Sequence, residues 1–237
     1  QIPSVDLAAI CIPAKEVGGD YFDFLQSSEN GGDLGIAIGD VSGKGMPAAL
    51  LVSTIHATAR LLSQIYTSPE KVIRDLNKFM FENTNSESFA TVFLASLNAE
   101  QQVFTYTAAG HNPPLWLKHD GTAEWLREGG LPCGVVEDFD YLAEKIQLEI
   151  GDVIVLYSDG ITEASNMEGD DFGEDRLLEC CQKVREKTSQ EMLYHVLDEV
   201  TEFAKFDEFR DDMTLIIIKL LPKTQKEGGN DGRQDSN

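Results

Sequence analysis

The sequence predicts an α+β protein folded as one large domain. Three observations carry that expectation. Short, nearly unbroken apolar runs such as Leu34–Ile38 and Val153–Tyr157 read as strands covered on both faces. Helical segments come in pairs, one pair after the first strands and one before the last strand. The chain has 237 residues of ordinary globular composition, enough to bury one sizeable core.

In chain order, Val5–Ile12 is apolar enough for a strand, and Pro13 closes it. Gly18 and Gly19 then precede an alternating acidic and aromatic strand, Asp20–Phe24. The two-residue period puts Asp20 and Asp23 on opposite faces, and Asp23 reads as a solvated strand residue. Asn30–Asp33 reads as a hairpin turn into the Leu34 strand. Two helices follow. The first buries a stripe of Leu51, Ile55, Ala59, Leu62 and Ile65, with His56 as an ordinary histidine. The second starts at about Pro69 behind a Ser68 cap and buries Val72, Ile73, Leu76, Phe79 and Met80.

From Phe89 strands dominate: Phe89–Leu97 pairs with Gln102–Ala108, and shorter strands are expected at Leu115–Lys118, Glu124–Arg127 and Tyr141–Leu148. Between them His111, set among Gly, Asn and Pro, reads as a loop staple whose ring bonds main-chain carbonyls. Asp152 opens the Val153–Tyr157 strand as a turn residue. Helices are expected up to Val184 and over Gln190–Phe206, then a strand over Met213–Ile218. Residues 222–237 form a polar, glycine-rich tail expected to be disordered.

Acidic residues sit at the ends of the most apolar strands. Asp40 follows Leu34–Ile38, Asp159 follows Val153–Tyr157, and Asp211 and Asp212 precede Met213–Ile218. A carboxylate placed there needs a cation or several donors, since burying it ionised and alone costs several kcal/mol or about that order. Asp40 has the bland alternative of a turn or cap residue. The glycine and lysine loop after it is not a phosphate loop, because Ile38 and Gly45 occupy positions where that pattern needs glycine and serine or threonine. The balance of 41 acidic against 19 basic residues argues against nucleic acid as a partner and suits cations. No stretch reads as a membrane span. Four cysteines without a CxxC pair, two of them adjacent, read as reduced and therefore cytoplasmic. The start at Gln1 without a leader pattern reads as a domain excised from a longer chain.

The set Gly18-Gly19-Asp20, Gly39-Asp40-Val41-Ser42-Gly43-Lys44-Gly45, Gly110-His111-Asn112-Pro113-Pro114, Ser158-Asp159-Gly160 and Asp211-Asp212-Met213-Thr214 resembles the metal-dependent, type 2C-like protein phosphatases. It is most similar to their bacterial branch of SpoIIE sporulation and sigma-regulator phosphatases, and the resemblance runs from Val5 to Leu220. It implies an αββα sandwich of two antiparallel sheets flanked by helices, spanning residues 1–221, with a dinuclear metal cleft at one end. Two or more Mn²⁺ or Mg²⁺ ions are implied. Asp40 bridges them as the catalytic centre, the Val41 carbonyl, Asp159 and Asp211 complete one ion, and Asp20 serves the other largely through water. All-oxygen ligands suit hard cations. Lys15 lies before Asp20 and is a candidate contact for substrate phosphate, with a solvated surface charge as the alternative. Animal members have a histidine after the bridging aspartate where this chain has Val41, which leaves the general acid unassigned. The implied partners are a phosphorylated anti-sigma-factor antagonist and an upstream sensor domain, with a homodimer allowed. A catalytically weak module that only binds a partner, or a structural cation-binding domain, are the competing readings.

Overall fold

The computed structural model describes residues 4–26, 33–43, 45–85, 87–205 and 210–222. The expected turn at residues 30–32, Lys44 of the acidic loop and the tail from residue 223 lie outside the described residues. Ten strands and five helices follow in the order β1 (Val5–Ile12), β2 (Asp20–Gln26), β3 (Asp33–Val41), α1 (Met46–Ile65), α2 (Pro69–Asn83), β4 (Ala90–Asn98), β5 (Val103–Ala109), β6 (Leu115–Leu117), β7 (Ala123–Trp125), β8 (Glu144–Gln147), β9 (Val153–Tyr157), α3 (Asp159–Thr162), α4 (Gly173–Lys183), α5 (Ser189–Ala204) and β10 (Met213–Leu220) among the described residues.

The strands form two five-stranded sheets, β1-β10-β9-β6-β7 and β2-β3-β4-β5-β8. Every pairing within them is antiparallel. Strand alternation explains why the central strands are apolar along most of their length. Ile36, Ile38, Phe93 and Tyr106 of one sheet meet Ile154, Leu156, Ile216 and Ile218 of the other in a central core. The intervening residues point outward to helices. Ala37, Val92 and Leu94 pack under Ile55, Val72, Leu76 and Met80 of α1 and α2. Val155, Tyr157, Leu215 and Ile217 pack under Leu177, Met192 and Val196 of α4 and α5. The result is helix, sheet, sheet, helix.

Several local expectations change. Ile65, expected in the buried stripe of α1, is 69% exposed, while Leu62 and Tyr66 on either side of it pack against the core; Leu50 and Leu61 are exposed as well. Ser68 does precede α2, but its side chain makes no cap hydrogen bond. The strand expected over Tyr141–Leu148 pairs only over Glu144–Gln147, where β5 offers partners. Helix α5 starts from a capping box that sequence inspection passed over: the Thr188 side chain accepts from Glu191 N, and the Glu191 carboxylate accepts from Thr188 N.

Asp23 is the largest correction. It is buried, not solvated. Its Oδ1 accepts from Arg60 Nη2 at 2.6 Å, and its Oδ2 lies 2.6 Å from Arg60 Nε and 2.8 Å from His56 Nε2. The outward face of β2 is thus tied to α1 by a fork-shaped ion pair.

Candidate metal centre

The site is assembled where four strand ends meet at one end of the sandwich. Strand β2 begins with Asp20 and β3 closes with Asp40 and Val41, and antiparallel register sets Asp20 directly opposite Asp40. Strand β9 ends at Tyr157, and Asp159 opens the short α3 behind the Ser158 cap. Strand β10 starts at Met213, immediately after Asp211 and Asp212. The two sheets are bonded to each other here. Thr214 Oγ1 donates to Asp20 Oδ2 at 2.7 Å, and Ser158 Oγ accepts from Thr214 N at 2.9 Å.

After Val41 the chain turns at Gly43, φ 102°, and Gly45, φ 77°, before Pro47 enters the first turn of α1. Both angles lie in the left-handed region, which glycine adopts without a side-chain penalty.

Like charges directly opposite on paired strands repel. Burial, followed by Asp159, Asp211 and Asp212, raises the Asp40 carboxyl to about 7. Burial likewise raises Asp20 to about 8, with the Ser158 and Thr214 hydroxyls acting in the opposite sense and Asp40 and Asp212 adding to the rise. Glu163, the residue that caps the C-terminus of α3, is also raised by burial and then by Asp159, Asp171 and Asp211. Among the described residues, no three His, Cys, Asp or Glu side chains are drawn tightly enough together to hold an ion. The carboxylates are within electrostatic reach of one another.

One feature tests whether these residues suit a hard cation. A Cβ on Gly19 would stand 2.8 Å from the Val41 carbonyl oxygen and 3.0 Å from Asp40 Oδ1. The two oxygens therefore face the same small space, which glycine alone leaves open. An anionic and a carbonyl oxygen converging beside further carboxylates is a donor set for Mg²⁺ or Mn²⁺, and it fits.

Asp20, Asp40, Val41, Asp159 and Asp211 are therefore brought to one end of the fold. Lys15 is exposed on the loop between β1 and β2. His111 is buried; its Nδ1 bonds the Thr91 hydroxyl at 2.9 Å, and the Tyr157 main chain acts on its ring as well, so a side chain joins the main chain expected of a staple. Its Nε2 has no hydrogen-bond partner.

The family model for stage II sporulation protein E (SpoIIE) matches residues 30–221. The chain belongs to the SpoIIE family. Phosphoserine phosphatase RsbU of Bacillus subtilis is 37% identical over 224 residues, covering 92% of this chain and 64% of that protein. The chain thus spans somewhat under two thirds of that relative's length. Among solved structures, the SiaA-PP2C domain of Pseudomonas aeruginosa superposes with a TM-score of 0.81 at 17% identity, covering 90% of this chain and 85% of that one. The RsbU and RsbW domains of Rv1364c from Mycobacterium tuberculosis give 0.78 at 26% identity, covering 94% and 62%. The SpoIIE family assignment and these superpositions agree with the helix, sheet, sheet, helix layering above.

Three residues at the SpoIIE-family site escape a reading by strand ends. Thr214 lies inside an apolar strand and looks like an ordinary β-branched residue. Glu163 had a weak signal, four residues after Asp159 at helical spacing. Asp212 gave no signal separating it from its neighbour Asp211.

Proposed function

We propose that the chain is a metal-dependent phosphatase of phosphoserine and phosphothreonine in proteins. The carrying observation is the glycine-lined space onto which the Val41 carbonyl and Asp40 Oδ1 both open, flanked by carboxylates raised by burial and by each other. In this reading Asp40 is shared by two Mn²⁺ or Mg²⁺ ions, Val41, Asp159 and Asp211 complete one, and Asp20 serves the second. When bound, such a pair activates water and neutralises charge on a phosphoryl group. Asp20 and Asp40 are held ready for that task by β2–β3 pairing, and Thr214 fixes the Asp20 carboxylate. Lys15, exposed on the adjoining loop, is the candidate contact for the phosphate.

The relative RsbU is named a phosphoserine phosphatase, and so is RsbP of Bacillus subtilis, 28% identical over 152 residues. In this reading the substrate is a phosphorylated anti-sigma-factor antagonist, and a sensor domain in the longer chain acts through α1 and α2; resemblance to the sigma-regulator phosphatases supports both. Four free cysteines suit a reducing compartment, the cytoplasm. Among the described residues no helix is long and apolar enough to cross a membrane.

The test is hydrolysis of p-nitrophenyl phosphate and of a phosphoserine protein, with and without Mn²⁺. Turnover that needs Mn²⁺ and disappears in Asp40→Asn is expected. Partner binding without turnover would favour the catalytically weak module, and Mn²⁺ binding without either would favour a structural domain.

A further inference from the structure

We infer that Asp212 is a positioning residue, one carboxylate that clips both ends of the Ala14–Gly19 loop and sets Asp20 at the head of β2. The inference rests on the phosphatase reading for its purpose, but its geometry stands independently. Asp212 is buried, and Oδ1 accepts from Ala14 N at 2.8 Å. Oδ2 accepts from Gly19 N at 2.6 Å and lies 3.4 Å from Asp20 N. The five residues from Ala14 to Gly18 leave one oxygen of this group, and the chain returns to the other at Gly19. Lys15, Glu16 and Val17, exposed on that loop, are therefore carried on a closed span whose two ends cannot move apart.

Close packing shows that the clip is built in. A Cβ on Gly18 would come within 2.4 Å of Asp212 Oδ2, so the carboxylate fills the space a side chain would take. The main chain of Asp212 is used in the same way. A Cβ on Gly160 would come within 2.0 Å of its carbonyl oxygen, and Ser158 Oγ donates to that oxygen at 3.3 Å. Asp212 thereby joins the three segments that bear Asp20, Asp159 and Asp211. Both of its carboxylate oxygens are engaged by amides through short, charge-assisted bonds. That separates its role from that of Asp211: in the phosphatase reading Asp211 would hold an ion, and Asp212 holds the protein around it. Partners of this outer kind typically change metal affinity about 10- to 100-fold when removed.

The experiment measures amide hydrogen exchange in the metal-free chain and Mn²⁺ affinity by calorimetry, for wild type, Asp212→Asn and Asp211→Asn. In Asp212→Asn, exchange at Ala14 and Gly19 should accelerate about tenfold or more. Protection in β4 and β10 should be unchanged, and Mn²⁺ affinity should fall about tenfold. Asp211→Asn should show the opposite pattern, with loop protection kept and Mn²⁺ binding lost. Gly18→Ala, which forces the carboxylate aside from the loop, should reproduce the Asp212→Asn pattern and carries the test if that variant does not fold. Unchanged loop exchange, or unchanged Mn²⁺ affinity, in Asp212→Asn and Gly18→Ala overturns the inference. A wild type that binds no Mn²⁺ overturns the phosphatase reading along with it, whereas a wild type that binds Mn²⁺ beside unchanged variants overturns the inference alone.

Discussion

Replacing His111 with Gln should remove a pH-dependent loss of stability that can be sized from the structure. Burial lowers the His111 imidazole from its ordinary 6.5 to about 4, with the Tyr157 main chain opposing the shift. A histidine with a depressed folded value is neutral in both states above pH 6.5, so its stabilising neutral form costs nothing there. As pH falls below that value the unfolded chain takes up a proton and the folded chain does not, so stability drains away until about pH 4. At about 1.4 kcal/mol for each tenfold change, the loss reaches about 2 kcal/mol near pH 5 and about 3 kcal/mol below pH 4. Urea unfolding of wild type and His111→Gln at pH 7.5 and pH 5 isolates this, because the many carboxylates titrate alike in both proteins. The stability of wild type relative to the variant should fall by about 2 kcal/mol between the two conditions. Parallel pH dependences would refute the reasoning. The residue matters to the site through Thr91, its hydrogen-bond partner, which stands opposite Asp40 on β4.

Asp40→Asn, Asp159→Asn and Asp211→Asn should each abolish Mn²⁺-dependent phosphate release while leaving the circular dichroism spectrum intact, because each removes a negative charge where cations would be held. Gly19→Ala should fold and lose at least about tenfold in Mn²⁺ affinity by calorimetry, since its Cβ would lie 2.8 Å from the Val41 carbonyl oxygen and 3.0 Å from Asp40 Oδ1. Asp23→Asn should reduce turnover less than Asp40→Asn but speed amide exchange along α1, because it weakens the link to Arg60 and His56. Removing metal with a chelator should stop hydrolysis, and adding Mn²⁺ back should restore it.

The fold was legible where residues are buried on two sides. Leu34–Ile38, Val153–Tyr157 and, Thr214 aside, Met213–Ile218 are unbroken apolar runs because one alternating set enters the central core and the other lies under helices. Helix α1 was legible only in part. Spacing marks a face but not its edges: Ile65 lies at the flank of the stripe and stands 69% exposed, while Leu62 and Tyr66 pack on the core. The four-residue α3 is too short to show any period.

The site was legible for a different reason, and its limits follow from the same reason. An aspartate next to an apolar strand conflicts with its surroundings, and that conflict is visible in a few consecutive residues. Asp40, Asp159, Asp211 and Asp212 stand out in this way, and the structure gathers them at one end with Asp20, which paired glycines and family resemblance mark. Asp23 and Asp212 are resolved by contacts the local sequence cannot contain. Asp23 meets Arg60, 37 positions on, and Asp212 meets Ala14, 198 positions back. Reading outward from conflict therefore finds groups that lack a partner in sequence, but it cannot tell those left to meet a cation from those that fold back onto the protein's own amides. Asp211 and Asp212 are adjacent and chemically identical, and what marks Asp212 is that the Ala14 and Gly19 amides, far away in sequence, both close on its carboxylate.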